Sequence, residues 1–192
     1  APAADATAPL GQWLELWMDD DIEPNRAETT VNGYRNIIRN HMRPALGEVR
    51  LADLTPELIN GYYQWLAEEK GLSPNTIRKH HVLIHTALKA AFRQGVIPAN
   101  PAQRATPPRA TSTDVLYYTP ARLSRLLREV EGHSLELPAR LAGSLGLRRE
   151  EICGLKWECI DFQRQLLSIK EARTAFGATI LQKETKTRSS VR

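Results

Sequence analysis

Two rows of basic residues repeat at helical spacing. Arg78, His85, Lys89 and Arg93 fall within one narrow sector of a helical wheel, with Lys79 and Thr86 beside them. Arg35, Arg39 and Arg43 recur every four residues. Rows of this kind, with few acids within them, fit phosphate tracking or insertion into a DNA major groove. An ordinary solvated helix face is more often mixed in sign. Cys153 and Cys159 stand six apart with no second pair or histidine beside them, which is neither a zinc pattern nor a disulfide framework and suits a reducing cytoplasm. His80 and His81 have no partner cluster for a metal, and neighbouring backbone would satisfy them as well as any ligand. The densest local cluster is Leu145-Gly146-Leu147-Arg148-Arg149-Glu150-Glu151-Ile152-Cys153-Gly154-Leu155. Taken alone, it reads as a helix end capped by Arg148, with Glu151 as a local ion-pair partner.

Charge is segregated along the chain. Residues 1–24 hold six acids (Asp5, Glu15, Asp19, Asp20, Asp21 and Glu23) and neither Lys nor Arg, so a net charge of +4 becomes +10 over the remainder. That excess favours a polyanionic partner; the alternative on charge alone is a solvated basic surface. Hydrophobic residues make up 42% and charged residues 25% of the 192, enough apolar material for one large core or two small ones. No apolar run reaches the roughly 18 residues of a membrane span, and no signal-peptide pattern opens the chain. An opening Ala and a closing polar basic run, Lys183 to Arg192, read as boundaries cut from a longer chain.

Four helices fill the first hundred residues. Leu10, Trp13, Leu14, Trp17 and Met18 form a stripe from Pro9 to about Asp19. Thr29 or Thr30 caps a second helix, with Tyr34, Ile37 and Ile38 on its apolar side, stopped at about Met42 by Pro44 and Gly47. Thr55-Pro56 opens a third that Gly71 closes, and Ser73-Pro74 opens the longest, ending at Gln94 before Gly95. In that last helix Ile77, Ile84, Leu88 and Ala91 share the core face. The first unit, residues 1–101, is therefore a helical bundle. Prolines and small polar residues mark 102–116 as a linker, extended and draped over a surface. The second unit, 117–192, begins with helices from Thr119-Pro120, over Leu135 to Leu145, and from Arg149 to about Trp157. It ends in a hairpin or small sheet, with strands over Leu166 to Ile169 and Ala178 to Leu181 and a turn near Phe176-Gly177. The fold class is mainly α with a small β part.

Ser144 to Leu155 resembles the first active-site box of the tyrosine recombinase, or phage integrase, family: Thr-Gly-Leu-Arg-x-x-Glu-hydrophobic-x-x-Leu, with Leu145 in place of the usual Thr. Upstream, Thr30-Val31, Tyr34, His41 to Gly47, Leu51, Leu54-Thr55, Gly71 to Ile77 and Gly95 to Pro101 are similar to that family's core-binding domain. The resemblance covers nearly the whole chain from about residue 10. It implies a SAM-like four-helix core-binding domain joined to the N-terminal part of an α+β catalytic domain, the two clamping DNA from opposite sides. It also assigns chemistry. Cleavage by a side-chain hydroxyl passes through a phosphorane-like state with extra charge on the non-bridging oxygens. A guanidinium, always charged and with two parallel donors, suits that state. By this match Arg148 is the phosphate-binding arginine and Glu151 orients groups around it, while Arg149 is a surface or backbone-phosphate residue. Lys183 to Arg192 is similar to Lys-Thr-x-x-Ser-x-Arg, which makes Lys186 the general acid for the departing 5′-oxygen, with Lys183 the alternative.

The same family also requires a His-x-x-Arg pair, a later His or Trp, and a tyrosine nucleophile. No histidine of this sequence has Arg at the third following position, and Tyr34, Tyr62, Tyr63, Tyr117 and Tyr118 fit packing or DNA contact better than attack on a phosphate. The expectation is a DNA-binding fragment of an integrase from a phage or conjugative transposon, itself unable to cleave. Its partner is double-stranded DNA, the intact parent acts as a homotetramer on DNA, and no metal, nucleotide or other cofactor is implied. One rival is a non-catalytic DNA-binding regulator or excision accessory protein, which has no need of Arg148 or Lys186. Another is a helical adaptor with an incidental basic surface, which predicts weak salt dependence.

Overall fold

A computed structural model describes residues 5–112, 116–176 and 179–184, and the chain divides into two compact units, Ala1–Thr113 and Asp114–Arg192. In the first, α1 (Leu10–Trp17) continues without a break into a π-helical turn, Met18–Ile22. Likewise α2 (Glu28–Ile37) continues through a π-helical turn, Ile38–Met42, into α3 (Arg43–Leu46). Both helices outrun the sequence-based ends at Asp19 and Met42. Met18 and Ile22 extend the buried stripe of α1. Pro44 is tolerated because it sits in the first turn of a fresh α-segment, where its missing N–H costs least.

α4 (Pro56–Glu68) and α5 (Pro74–Arg93) begin as their sequences demand. The hydroxyls of Thr55 and Ser73 accept the N–H groups of Leu58 and Thr76 at 3.3 Å, each followed by proline at the first helical position. Gly71 and Gly95, at φ +60° and +74°, follow the ends of these helices in the left-handed region that glycine enters without strain.

Leu10, Leu14, Met42, Ile59, Leu66, Ile77, Ile84 and Leu88 are fully buried together, each contributing about 1.5–3 kcal/mol of transfer free energy. The indole of Trp13 donates to the Ala87 carbonyl at 3.0 Å, tying α1 to α5 inside this core. Gly11 N–H donates to the Gly47 carbonyl at 2.9 Å, and a Cβ on Gly11 would meet that oxygen at 3.1 Å. A side chain there would push the α1–α3 approach apart by a few tenths of an ångström.

The second unit holds α6 (Pro120–Glu129), α7 (Glu136–Leu145) and α8 (Arg149–Gly154), then β1 (Ile160–Asp161), β2 (Leu166–Leu167), β3 (Glu171–Phe176) and β4 (Thr179–Glu184). β1 pairs antiparallel with β2, and β3 with β4, the latter in the register Glu171↔Glu184 to Phe176↔Thr179. This differs from the strand expected over Leu166 to Ile169. Leu166 and Leu167 turn back on β1, and the long hairpin starts at the charged stretch Glu171-Ala172-Arg173, whose strand character comes from pairing and not from apolar alternation. α8 packs on β3 at Gly154, where a Cβ would meet the Glu171 carbonyl oxygen at 2.9 Å. Burial is sparse here. Among the described residues only Leu147 and Ile169 are buried large hydrophobics, and neither α6 nor α7 buries a residue. No described helix is long and apolar enough to cross a membrane.

Candidate nucleic-acid interface and phosphate-binding arginine

Arg148 is placed by the turn between α7 and α8. Gly146 ends α7 in the left-handed conformation, its N–H donating to the Ala142 carbonyl at 3.0 Å, and Leu147 is buried. Arg148 follows in extended geometry at the N-cap of α8, and Glu151 stands at the third helical position. The Glu151 carboxylate accepts the Arg148 backbone N–H at 2.9 Å on one oxygen and its guanidinium at 2.8 Å on the other. The two side chains differ sharply in exposure, 64% for Arg148 and 4% for Glu151. A buried carboxylate thus holds Arg148 by two charge-assisted bonds, one to its backbone N–H and one to its guanidinium, and the guanidinium, largely exposed, keeps further N–H donors. Arg149 is exposed and paired with Glu150 at 3.2 Å. Lys186, the matched general acid, lies outside the described residues; Lys183 occupies β4 opposite Ala172.

α5 presents the longer basic row. Arg78, Lys79, Lys89 and Arg93 are exposed and His85 is half-buried, while Ile77, Ile84, Leu88 and Ala91 turn inward. Among the described residues none of those four cations has an acidic partner. The α2 row is different. Glu15, Asp19 and Glu23 recur every four residues on α1 and its π-turn, at the same spacing as Arg35, Arg39 and Arg43. Arg35 pairs with Glu23 and, at 3.3 Å, with Asp19; Arg43 pairs with Glu15. Three of the six acids that the sequence segregates at its start are thus folded back against one of its two basic rows. These pairs are exposed and worth about 0–1 kcal/mol each, yet they offset the row's charge where α5's stands uncompensated by acids.

Two further pairs join α4 to α5 at a common spacing of 18 residues. The Tyr62 hydroxyl meets His80 Nδ1 and the Tyr63 hydroxyl meets His81 Nδ1, both at 2.7 Å. Burial pushes both tyrosine hydroxyls well above their ordinary range, so each stays protonated against its imidazole. Burial, reinforced by His41, lowers His80 to about 4, and its ring lies 5.1 Å from that of His41. Burial and then Lys70 also lower His41, whose Nδ1 is buried without a hydrogen-bond partner among the described residues. Burial, His85 and Arg78 lower His81. A spacing of 18 carries no local signal, which is why the sequence left these histidines to neighbouring backbone.

Residues 17–106 match the family model of the phage integrase SAM-like domain. The chain is 25% identical over 168 residues to the tyrosine recombinase XerC-like protein of Caldanaerobacter subterraneus subsp. tengcongensis, covering 84% of this chain and 43% of that protein. It is 27% identical over 163 residues to an integrase of Saccharopolyspora erythraea, covering 84% and 37%. The chain thus spans about two fifths of the length of these curated relatives. Among solved structures, the Tn1549 transposon integrase in complex with transposon right end DNA superposes with a TM-score of 0.80 at 22% identity, over 96% of this chain and 59% of that one. At that identity the likeness is one of fold.

Proposed function

We propose that this chain, whose residues 17–106 match the phage integrase SAM-like domain and which is similar to tyrosine recombinases and integrases over 84% of its length, is the DNA-binding portion of a site-specific recombinase whose longer form cuts and rejoins duplex DNA through a 3′-phosphotyrosine link. The α5 row binds backbone phosphates, and the second unit brings Arg148 to the scissile phosphate. There the guanidinium neutralises charge that builds on the non-bridging oxygens as the phosphorus becomes pentacoordinate. Glu151 positions Arg148. Lys186, or Lys183, delivers a proton to the departing 5′-oxygen, so the leaving group departs as an alcohol. The ester to tyrosine keeps the energy of the broken phosphodiester, and rejoining needs no nucleotide. The longer form works as a tetramer on DNA and serves integration and excision of a mobile element.

The observation that carries this reading is the arrangement of Arg148 and Glu151: an exposed guanidinium fixed from behind by a buried carboxylate, with donors left for an anion. The three tyrosines of the first unit fit packing better than attack on a phosphate. Tyr62 and Tyr63 hydrogen-bond His80 and His81, and Tyr34 stacks on Trp17. In a chain of the relatives' full length, Arg148→Ala is expected to lower cleavage about 10²–10³-fold and spare most DNA binding. Undiminished cleavage by that variant would overturn the assignment. The 192-residue chain is expected to form no covalent adduct with a nicked suicide substrate; an adduct would place a nucleophile within it.

A further inference from the structure

The segment after α5 is laid back onto the helical unit by a series of side chains. Asn100, buried, accepts the Ala102 N–H at 2.9 Å and donates to the His85 carbonyl at 3.0 Å, and Ala102 and Ala105 are buried beyond it. Asn60 on α4 accepts the Thr106 N–H at 2.8 Å, and Arg78 on α5 donates to the Pro108 carbonyl at 3.3 Å. The last anchor differs in kind. The carboxamide of Asn75, in the first turn of α5, donates to the Thr111 carbonyl at 2.8 Å and accepts the Thr111 N–H at 3.2 Å. Both backbone groups of a single linker residue are therefore held by one exposed side chain, in the reciprocal manner of a strand pair.

We propose that Asn75 is a positioning residue: it pins the linker at Thr111 and so fixes the point from which the second unit is tethered. The inference rests on the reading that both units act on one DNA. From Thr111 to Thr119, the N-cap of α6, is eight residues, a span of at most about 28 Å at full extension. Counted from Pro108, the next anchor back, eleven residues span up to about 39 Å. The pin therefore shortens the reach by about a quarter. By the −3/2 power dependence on tether length, effective concentration would change by less than about twofold. Affinity is thus a poor readout, and access to the strap and spread of the inter-unit distance are better ones.

The test uses the 192-residue chain without DNA. The Arg109–Ala110 bond lies between the Pro108 and Thr111 anchors, so trypsin cleavage after Arg109, read by fragment mass, reports the population in which the strap is open. Asn75→Ala removes both bonds and improves helix propensity at an exposed site, so the melting temperature should hold while cleavage after Arg109 rises about tenfold. Asn75→Asp keeps the acceptor and loses the donor, and its rate should fall between. For the positional readout, nitroxides are placed on the exposed Cys153 (with Cys159→Ser) and on Gln64→Cys; Asn75→Ala should broaden the distance distribution between them. An unchanged cleavage rate, or faster cleavage with an unchanged distribution, would overturn the proposal. Neither outcome touches the DNA reading, which fails on its own terms if binding is insensitive to salt.

Discussion

The two units bury their apolar residues to very different degrees. In the first, four helices and a returning linker enclose a continuous core, with Leu10, Leu14, Ile84 and Leu88 fully buried. In the second, Leu137, Leu145, Trp157, Phe162 and Leu166 are all more than half exposed, Trp157 at 80%. Yet the second unit carries an organised polar pair, Arg148 on a buried Glu151. A fold can thus fix one exposed guanidinium through a short helix, a capping carboxylate and a glycine turn without first completing a core around it. The first unit offers the converse: a finished core whose chemistry lies along one exposed helix face.

The largest effect that would sharpen this contrast is core truncation. Leu88→Ala should cost about 2–5 kcal/mol in urea unfolding of the first unit. Leu137→Ala, at an exposed site of α7, should stay within about 0.5 kcal/mol. Equal costs would break the comparison. Next is acid. His80 is held neutral, its pKa lowered by burial and by His41 to about 4 from 6.5, so the unfolded chain takes up its proton first as pH falls. The associated stability, about 1–3 kcal/mol, is present above pH 6.5 and is lost as pH drops toward 4. In His80→Gln, which does not titrate, the urea midpoint of the first unit should fall less between pH 7 and 4.5, as near-neutral and acid urea titrations would show. Identical acid loss in both proteins would remove His80 from the account. The smallest effect is expected at Arg35→Ala. Its partners Glu23 and Asp19 are exposed, and the melting curve should shift by no more than about 1 kcal/mol.

The mainly helical class, with its small β part, was legible because it is written locally. Thr55-Pro56, Ser73-Pro74 and Thr119-Pro120 each state a cap and a first turn, and Gly71 and Gly95 state the stops. The turn that presents Arg148 is equally local, set by Gly146 and by a glutamate three residues on. What the sequence hid is tertiary. Glu15 and Arg43 are 28 residues apart, Tyr62 and His80 are 18 apart, and Asn75 and Thr111 are 36 apart. Each pair joins two different segments of the chain, so no helical period relates its members. The hairpin from Glu171 was obscured for another reason: a charged strand is specified by its partner's backbone more than by its own side chains.

The central claim is that a basic helix face grips DNA phosphates, and salt tests it most directly. Four uncompensated cations on α5 predict that binding of the 192-residue chain to duplex DNA falls with a log–log salt slope near −3.6, about a hundredfold loss between roughly 50 and 200 mM salt. Lys89→Ala should reduce that slope by about one. A slope near zero, or one that the substitution leaves unchanged, would contradict the account.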